Sequence, residues 1–295
     1  MISCRQKLFP AALVLVLAVN TLPAQQPPPR SLRDIPLPER RALLKGYPGD
    51  WQPDTDRAQG LPAPPRQKSV ASDAVRLQLP APATAETRDI TLADALRQRR
   101  SHRAYTDESL TLAELSFLLW SVQGVTRKAD NDTERSRRTA PSAGALYPLE
   151  TYVVALRIAG LPPGIHRYLP DTHELVTVRA ATDLPARVVA ACYGQEFVGT
   201  AAAVIAWTAV PERTEWKYAY LAPRMIAMEA GHACQNLYLA CETVGAGTCA
   251  FLGYDQARLD ALLGVDGEDE FTVYLAPLGK VQRQPESGAT PRTGR

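Results

Sequence analysis

Apolar residues recur with helical spacing in several stretches of the chain. One stripe, preceded by Thr111 and Glu114 in the spacing of a capping box, consists of Leu115, Leu118, Leu119 and Val122. This pattern predicts a helix that begins after Thr111 and ends at Gly124. Further helices are predicted from Thr91 to Arg100, Leu184 to Tyr193, Arg224 to Val244 and Gln256 to Leu263. The Arg224 to Val244 helix is apolar on most sides, so we expect it to be buried.

Alternating and β-branched residues predict strands between these helices. The stretches cover residues 150–158, 164–169, 175–179, 203–210, 248–252 and 270–278. The first three form a predicted antiparallel hairpin set, with a turn at Pro170 to His173. Because strands and helices are interspersed without regular strand–helix–strand units, the predicted fold class is α+β.

The N-terminal part of the chain has the pattern of an export signal. Arg5 and Lys7 precede an apolar run over residues 8–19, and small residues at 22–24 suit cleavage before Gln25. We therefore predict a signal peptide at 1–24 and a periplasmic or extracellular protein without a stable membrane anchor. An uncleaved anchor is the alternative, although the run is short for a membrane span.

The remaining chain divides by composition. Residues 25–86 are dense in Pro, Gln, Arg and Ala, with apolar residues too scattered to form a face, which predicts an extended arm or linker. Residues 87–282 have the length of one domain with its own core, and 283–295 form a predicted disordered tail.

Charge and cysteine content narrow the function classes. The 33 basic and 31 acidic residues nearly balance, and no basic stripe is interleaved with aromatics, so a nucleic-acid partner is not expected. The cysteines beyond the signal are Cys192, Cys234, Cys241 and Cys249. Their spacing is not that of a zinc site, so no metal is expected and buried free thiols are the simpler interpretation.

Two clusters carry the candidate chemistry. The run Arg99, Arg100, Ser101, His102 and Arg103 places guanidinium forks, which match phosphate, at the end of a short helix. A basic helix end is also what the helix dipole alone favours. The second cluster, residues 141–150, begins with small residues that allow backbone to approach a planar ligand closely. A tight connection into the next strand is its alternative interpretation.

These two clusters, together with Gly231, His232, Gln235, Asn236, Leu237 and Leu239 on the long helix, resemble the SagB-type dehydrogenase branch of the nitroreductase superfamily over residues 88–281. The resemblance implies a nitroreductase-like fold with a mostly antiparallel central sheet flanked by helices. It also implies an intertwined homodimer that binds FMN at the subunit interface. The implied activity is ping-pong hydride transfer through flavin N5 to or from a small organic substrate.

The same resemblance assigns cofactor-binding residues by motif position. The residues expected at the FMN phosphate and ribityl chain are Arg99, Arg100, Ser101 and Arg103, with Lys280 as a further cation near the phosphate. Those expected along the flavin ring are Pro141, Ser142, Ala143 and Gly144. Gly247 and Thr248 belong to a glycine-containing turn expected near the flavin.

Lys217 and Tyr218 resemble the Lys-Tyr pair of azoline dehydrogenases in this branch and are the predicted catalytic residues. A desolvated lysine serves as a base and an adjacent tyrosine relays a proton; a solvated loop lysine is the alternative. Because residues 219–224 depart from that branch, the first hypothesis is an FMN oxidoreductase acting on a nitroaromatic, quinone or similar compound. The alternatives are a peptide thiazoline or oxazoline dehydrogenase working with partner proteins, and a non-redox flavin-binding or assembly protein.

The histidines are given structural roles. His232 and Asn236 are interpreted as buried polar residues that hydrogen-bond across the core or a dimer interface. His102, His166 and His173 lack spaced partners and are interpreted as ordinary surface or turn residues.

Overall fold

A computed structural model describes residues 35–42, 44–45, 54–129 and 136–282. The predicted signal peptide and the predicted C-terminal tail lie outside the described residues. The chain divides into a unit at Met1–Lys45 and a unit at Gly46–Arg295. The first contains helix α1, Leu37–Ala42, in which the Arg40 amide donates to the Pro36 carbonyl over 3.1 Å. All remaining elements belong to the second unit.

The strands of the second unit form one large sheet and two short pairs within the described residues. They are β1 Arg76–Gln78, β2 Leu110–Thr111, β3 Val125–Arg127, β4 Arg137–Arg138, β5 Leu149–Ala155, β6 Ile158–Ala159, β7 Gly164–Leu169, β8 Glu174–Ala180, β9 Ala203–Ala209, β10 Ala246–Thr248 and β11 Phe271–Lys280. The large sheet has the order β1-β8-β7-β5-β9-β11-β10, and each neighbouring pair is antiparallel. The predicted α+β class with an antiparallel central sheet is confirmed.

Helices cover both faces of this sheet. They are α2 Leu92–Gln98, α3 Leu112–Gln123, α4 Leu184–Ala191, α5 Glu196–Gly199, α6 Glu212–Tyr218, α7 Ala222–Thr243 and α8 Gln256–Leu263. Successive strand residues point to opposite faces, so Val153 of β5 joins a core with α3 and α7, whereas Val154 joins one with α4 and α8. Two apolar layers therefore hold the central strands in place.

The predicted caps of helices α2 and α3, which depend only on neighbouring residues, are confirmed. The Thr111 side chain accepts from the Glu114 amide over 3.1 Å, and the Glu114 carboxylate accepts from the Thr111 amide over 2.9 Å, which completes the capping box. Gly124 caps the C-terminus of the same helix. Thr91 accepts from the Asp94 amide over 3.1 Å at the start of α2.

The predicted arm packs against the domain over residues 54–86. β1 extends the sheet beside β8, and Leu79 is buried. Trp216 Nε1 donates to the Leu61 carbonyl over 2.9 Å, and Arg213 Nε donates to the Pro65 carbonyl over 2.9 Å. A proline-rich segment has many carbonyl acceptors but few amide donors. Side-chain donors of the domain therefore hold the arm in place, although the arm has few apolar residues to bury. The packed unit therefore extends beyond the boundary expected at residue 87.

α7 is less buried than its composition predicted. Its exposed stripe consists of Pro223, Ala227, Met228, Gly231, His232 and Gln235. His232 is therefore exposed in the single chain and does not lie in its core, so a hydrogen bond across a dimer interface is the alternative that stays a prediction. Asn236 does hydrogen-bond as expected, since its Nδ2 donates to the Ser121 carbonyl over 3.0 Å.

Two histidines interpreted as ordinary surface or turn residues are well packed. His166 of β7 is buried, which lowers its pKa. The half-buried His173 ring bridges the Tyr168 hydroxyl at 2.8 Å and the Ser116 hydroxyl at 2.7 Å. Ser116 lies on α3, 57 residues away in the chain, and sequence spacing gives no signal for such a contact.

The described residues also bear on the state of the cysteines and on membrane-spanning helices. The thiols of Cys192, Cys234, Cys241 and Cys249 are all buried and none is in a disulfide. Among the described helices, none is both long enough and apolar enough to cross a bilayer.

Candidate functional site

Residues 141–147 form a loop, here called the ring loop, with an unusual backbone. Gly144, Ala145 and Tyr147 have φ values of 63°, 51° and 49°. Glycine adopts the left-handed region freely, but alanine and tyrosine do so at a cost of about 1 kcal/mol or more each. Such strain persists only where surrounding contacts fix the backbone, and it concentrates at functional sites.

The contacts that fix the ring loop converge on Tyr147. Its amide donates to Ser142 Oγ over 2.9 Å, and Arg213 Nη1 donates to its carbonyl over 3.1 Å. The Arg138 amide donates to the Tyr147 hydroxyl over 3.1 Å, and the Arg138 guanidinium lies 4.4 Å from the centre of the ring. Hydrogen bonds to the backbone and to the side-chain hydroxyl of Tyr147 therefore hold the strained conformation.

A buried charge cluster connects the ring loop to the arm. The Glu150 carboxylate lies 2.6 Å from Arg213 and 3.4 Å from Arg167, and all three side chains are nearly inaccessible to solvent. Glu150 also accepts from the Lys68 amide over 3.0 Å, and Arg167 donates to the Ser69 carbonyl over 2.9 Å. Arg213 contacts both the arm and the ring loop, so the two segments share one anchor.

Lys217 and Tyr218 lie against the ring loop. A methyl group placed on Gly144 would be 2.9 Å from the Tyr218 hydroxyl and 3.0 Å from Lys217 Nζ. The lysine ammonium is 5.0 Å from the centre of the Tyr218 ring. Both residues belong to the last turn of α6, a short helix that the sequence analysis did not predict. Both side chains are half-buried, so Lys217 is not a fully solvated loop lysine.

Glu229 is a site residue that sequence reasoning missed. It lies on the buried face of α7 with 3% exposure, and burial raises the pKa of its carboxyl to about 7. The Ser142 hydroxyl, Arg138, Gln123 and Arg213 act in the opposite direction. Gln123 Nε2 and Glu229 Oε1 nevertheless lack partners with hydrogen-bond geometry. Glu229 is therefore a buried, incompletely bonded carboxyl whose pKa responds to Ser142 of the ring loop.

Glu229 is expected to lower the free energy of unfolding as the pH rises from about 4.5 to about 7. In this range the unfolded chain releases the proton while the folded protein retains it, so each increment of pH favours unfolding. The full effect is on the order of 3 kcal/mol, at about 1.4 kcal/mol per unit of pKa difference. Urea denaturation of the wild type and Glu229→Gln should show the variant gaining relative stability across this range. Parallel pH profiles would contradict the assignment.

Two of the predicted phosphate-binding residues, Arg99 and Ser101, lie against Tyr238 of α7. Ser101 Oγ lies 3.1 Å from the Tyr238 hydroxyl, and the Arg99 guanidinium lies 5.3 Å from the centre of the Tyr238 ring. The backbone of Ser101 also forms an isolated parallel β-bridge with Thr248 of β10. Arg100 donates to the Arg97 and Arg99 carbonyls over 2.7 and 2.9 Å and so is engaged at the end of α2. The exposed side chains of this group are Arg100, Ser101 and Arg103.

Backbone approaches side chains closely at the neighbouring turn. A methyl group on Gly247 would lie 2.6 Å from the His102 ring, and the His102 amide donates to the Thr248 carbonyl over 2.9 Å. Thr248 Oγ1 donates to the Pro277 carbonyl over 2.9 Å. The structure thus brings Ser101, Gly247 and Thr248 into one cluster. We call this cluster, together with Arg99, Arg103 and Tyr238, the clamp.

Lys280 is engaged inside the protein. Its Nζ lies 2.5 Å from the Glu114 carboxylate and 2.9 Å from the Val244 carbonyl, to which it donates. Glu114 is the same residue that completes the capping box of α3. The ammonium thus neutralises a partly buried carboxylate near the clamp. Its role at a phosphate stays a prediction.

The ring loop and the clamp are separate within one chain. Glu229, whose pKa responds to Ser142 of the ring loop, and Tyr238, in the clamp, are nine residues apart on α7. This spacing corresponds to about 13 Å along the helix axis and to opposite sides of the helix. The single chain therefore presents two partial sites on either side of α7.

The surface around α7 is apolar and concave. A cavity of about 830 Å³ lies between α6, α7 and β11, with a floor that includes Ile226, Phe271 and Tyr274. Met228 and Leu252 near it are 56% and 67% exposed. Among the described residues, no group of His, Cys, Asp and Glu side chains is arranged to hold a metal ion.

Comparison with known proteins agrees with this architecture. The Nitroreductase family profile matches residues 96–280, which is more than half of the chain. A nitroreductase homologue of Methanocaldococcus jannaschii is 34% identical over 208 residues, covering 70% of this chain and 98% of its own. A solved nitroreductase structure from Ralstonia eutropha superimposes with a TM-score of 0.58 at 27% identity, covering 76% of this chain and all of the other. The chain belongs to the nitroreductase family, whose members are generally flavin-dependent oxidoreductases.

A third relative has a more specific name. The microcin B17-processing protein McbC of Escherichia coli is 26% identical over 136 residues, covering 44% of this chain and 49% of McbC. A chain in the solved E. coli microcin synthetase complex McbBCD, which holds truncated pro-MccB17, has a TM-score of 0.52 at 20% identity over 73% of this chain and 79% of that chain. At that identity the structural match supports the fold alone.

Proposed function

We propose that this protein is an FMN-dependent oxidoreductase of the SagB-type branch acting on a small organic substrate such as a nitroaromatic or a quinone. The observation that carries the proposal is the ring loop, whose strained small residues lie against Lys217 and Tyr218. When bound, FMN would supply hydride transfer through its N5 atom, alternating between a donor and an acceptor.

The residues present fit FMN. At the ring loop, Gly144 lacks the methyl group that would collide with Tyr218 and Lys217, so both side chains can lie close to the backbone along which a planar ring would stack. In the clamp, Arg99 and Arg103 supply fixed positive charge, and Ser101 supplies an exposed hydroxyl. Guanidinium and hydroxyl donors suit a phosphate and a ribityl chain.

Each set of residues would have a distinct task. The clamp residues Arg99, Ser101 and Arg103 would bind the phosphate end. The ring-loop residues Pro141, Ser142, Ala143 and Gly144 would orient the ring and exclude water from one face. Gly247 and Thr248 would shape the turn beside the clamp. Arg100, whose guanidinium donates to two carbonyls at the end of α2, is given no phosphate contact in this proposal.

We propose a homodimer in which one cofactor contacts both protomers. A single chain places the ring loop and the clamp on opposite sides of α7, so one protomer would supply the clamp and its partner the ring loop. The exposed stripe of α7 and the apolar cavity beside it offer the surface such a dimer would cover. The same proposal locates this dimer outside the cytoplasm, because an export signal is expected at residues 1–24.

An azoline-forming peptide dehydrogenase is the second candidate, favoured by Lys217 and Tyr218 and by the partial likeness to McbC. In that reaction Lys217 Nζ would accept a proton from a peptide thiazoline or oxazoline, and the Tyr218 hydroxyl would relay it. The half-buried position of Lys217 beside Gly144 supports this role, because a substrate stacked on the proposed ring would lie within reach of the amine. A third candidate, a flavin-binding protein without turnover, would share the clamp and the ring loop.

Variants of Lys217 are expected to separate the first two candidates. Lys217→Ala should leave quinone or nitroaromatic reduction within about threefold of wild type, because the proposed acceptor reaction does not need this amine as a base. Azoline dehydrogenation would instead fall by at least about 100-fold, the usual contribution of a general base. Steady-state assays with both substrate classes measure this.

Lys217→Arg is the matched control, since it keeps the positive charge but has no accessible neutral form. If proton removal is the task, the arginine variant loses azoline turnover like the alanine variant. Wild-type azoline turnover in both variants would remove the second candidate. A protein that binds FMN but that no donor reduces would support the third.

A further inference from the structure

The arm contains a short, well-defined turn at residues 55–61, which we call the clasp. Thr55 begins the turn: its side chain is buried, and its Oγ1 accepts from the Ala58 amide over 3.1 Å. Gly60 closes the turn with a φ of 77°, a conformation that glycine adopts freely. A flexible linker would need no such fixed turn, so the clasp requires an explanation.

The clasp contacts Trp216 of α6 in three ways. The Arg57 amide donates to the Trp216 carbonyl over 2.9 Å, and Trp216 Nε1 donates to the Leu61 carbonyl over 2.9 Å. The Arg57 guanidinium lies 5.8 Å from the centre of the indole ring, within the range of a cation–π contact. The clasp therefore fixes both the backbone and the side chain of Trp216.

Trp216 directly precedes Lys217 and Tyr218 in the last turn of α6. This helix has seven residues, which is too short to be stable without tertiary contacts. Ala219, the next residue, has a φ of 43°, and alanine keeps such a backbone only where surrounding contacts fix it. The placement of Lys217 and Tyr218 thus depends on contacts from outside α6.

We propose that the clasp is a positioning element of the candidate site: through Trp216 it holds Lys217 and Tyr218 against the ring loop. Both side chains pack so closely on Gly144 that a methyl group there would lie 3.0 Å or less from each. Loosening the end of α6 therefore removes support from the backbone along which the flavin ring would stack. The inference rests on the proposed function, because it assigns the ring of FMN to this loop.

Gly60→Val tests the clasp without adding a contact to the domain. No atom lies within 4 Å of the position that a Cβ would take, whereas a β-branched residue strongly disfavours a positive φ. We expect the variant to bind FMN about tenfold more weakly, which is the scale of one hydrogen bond. Riboflavin should weaken by the same factor, because the clasp supports the ring end of the cofactor. Quenching of flavin fluorescence in the full chain gives both dissociation constants.

Gly194→Val is the matched control. Gly194 has the same φ of 77° and the same open space around its Cβ position, but it lies in the turn between α4 and α5. The control introduces the same backbone strain outside the clasp, so it should bind both flavins within about threefold of wild type. Should the valine variants not fold, Gly60→Ala and Gly194→Ala make the same comparison.

A Trp216→Phe background shows whether the effect passes through Trp216. Phenylalanine keeps an aromatic ring but cannot donate to the Leu61 carbonyl. In that background Gly60→Val should change the FMN dissociation constant by less than about threefold, because the link is already broken.

Four results would each overturn the inference. They are a full tenfold loss from Gly60→Val in both backgrounds, equal losses in Gly60→Val and Gly194→Val, a loss for FMN that spares riboflavin, and a Gly60→Val variant equal to wild type. Wild-type protein that binds no FMN would overturn the proposed function instead.

Discussion

Replacing Glu150 with alanine is expected to lower the free energy of unfolding by about 3–5 kcal/mol, because the substitution leaves two buried arginines without their carboxylate. Arg213 lies 2.6 Å and Arg167 3.4 Å from Glu150, and both arginine side chains are at most 5% exposed. The Lys68 amide loses its acceptor in the same step. Urea denaturation at fixed protein concentration measures the change.

The arm provides a second measurement on the same variant. Because Arg167 and Arg213 hold the carbonyls of Pro65, Lys68 and Ser69, residues 61–69 are expected to become sensitive to limited proteolysis. Glu174→Ala is the matched control: its partner Arg76 is 42% exposed at 3.4 Å, and such surface pairs contribute about 1 kcal/mol or less. Equal destabilisation of the two variants would contradict the role of the buried cluster.

Removing Arg99 and Arg103 together is expected to weaken FMN binding by at least about 100-fold, since charge-assisted hydrogen bonds contribute about 1.5–3 kcal/mol each. Arg99 lies over the Tyr238 ring beside Ser101, and Arg103 is exposed close by in sequence. Equilibrium dialysis against FMN gives the dissociation constants.

Two controls make this result specific for phosphate. Arg100→Ala should bind FMN within about threefold of wild type, because its guanidinium donates to two carbonyls at the end of α2. Riboflavin, which lacks the phosphate, should bind the double variant and the wild type alike. Equal losses for FMN and riboflavin would place the arginines away from the phosphate.

The sequence predicts the elements well where the signal is local. The capping box of Thr111 and Glu114, the cap at Thr91 and the strand at 164–169 need only neighbouring residues, and all are present. The structure brings Lys217 and Tyr218 against Gly144. This contact was not predicted, since no spacing rule links residues so far apart in the chain.

The features that the sequence did not predict depend on distant contacts. The arm was expected to be a linker because its apolar residues are scattered, yet Lys68 bonds to Glu150, 82 residues away. The left-handed backbone at Ala145 and Tyr147 contradicts the preference of those residues and is maintained by Arg213 and Ser142. The sequence did not predict the burial of Glu229, because the residues around a helical glutamate come from other elements and are known only from the folded structure.

The absorbance spectrum of the purified protein, with the released cofactor identified by chromatography, tests the central claim most directly. Binding at the clamp and the ring loop predicts about one FMN per chain, either as purified or after addition of FMN. A colourless protein that rejects added FMN would contradict the assignment of both partial sites to a flavin.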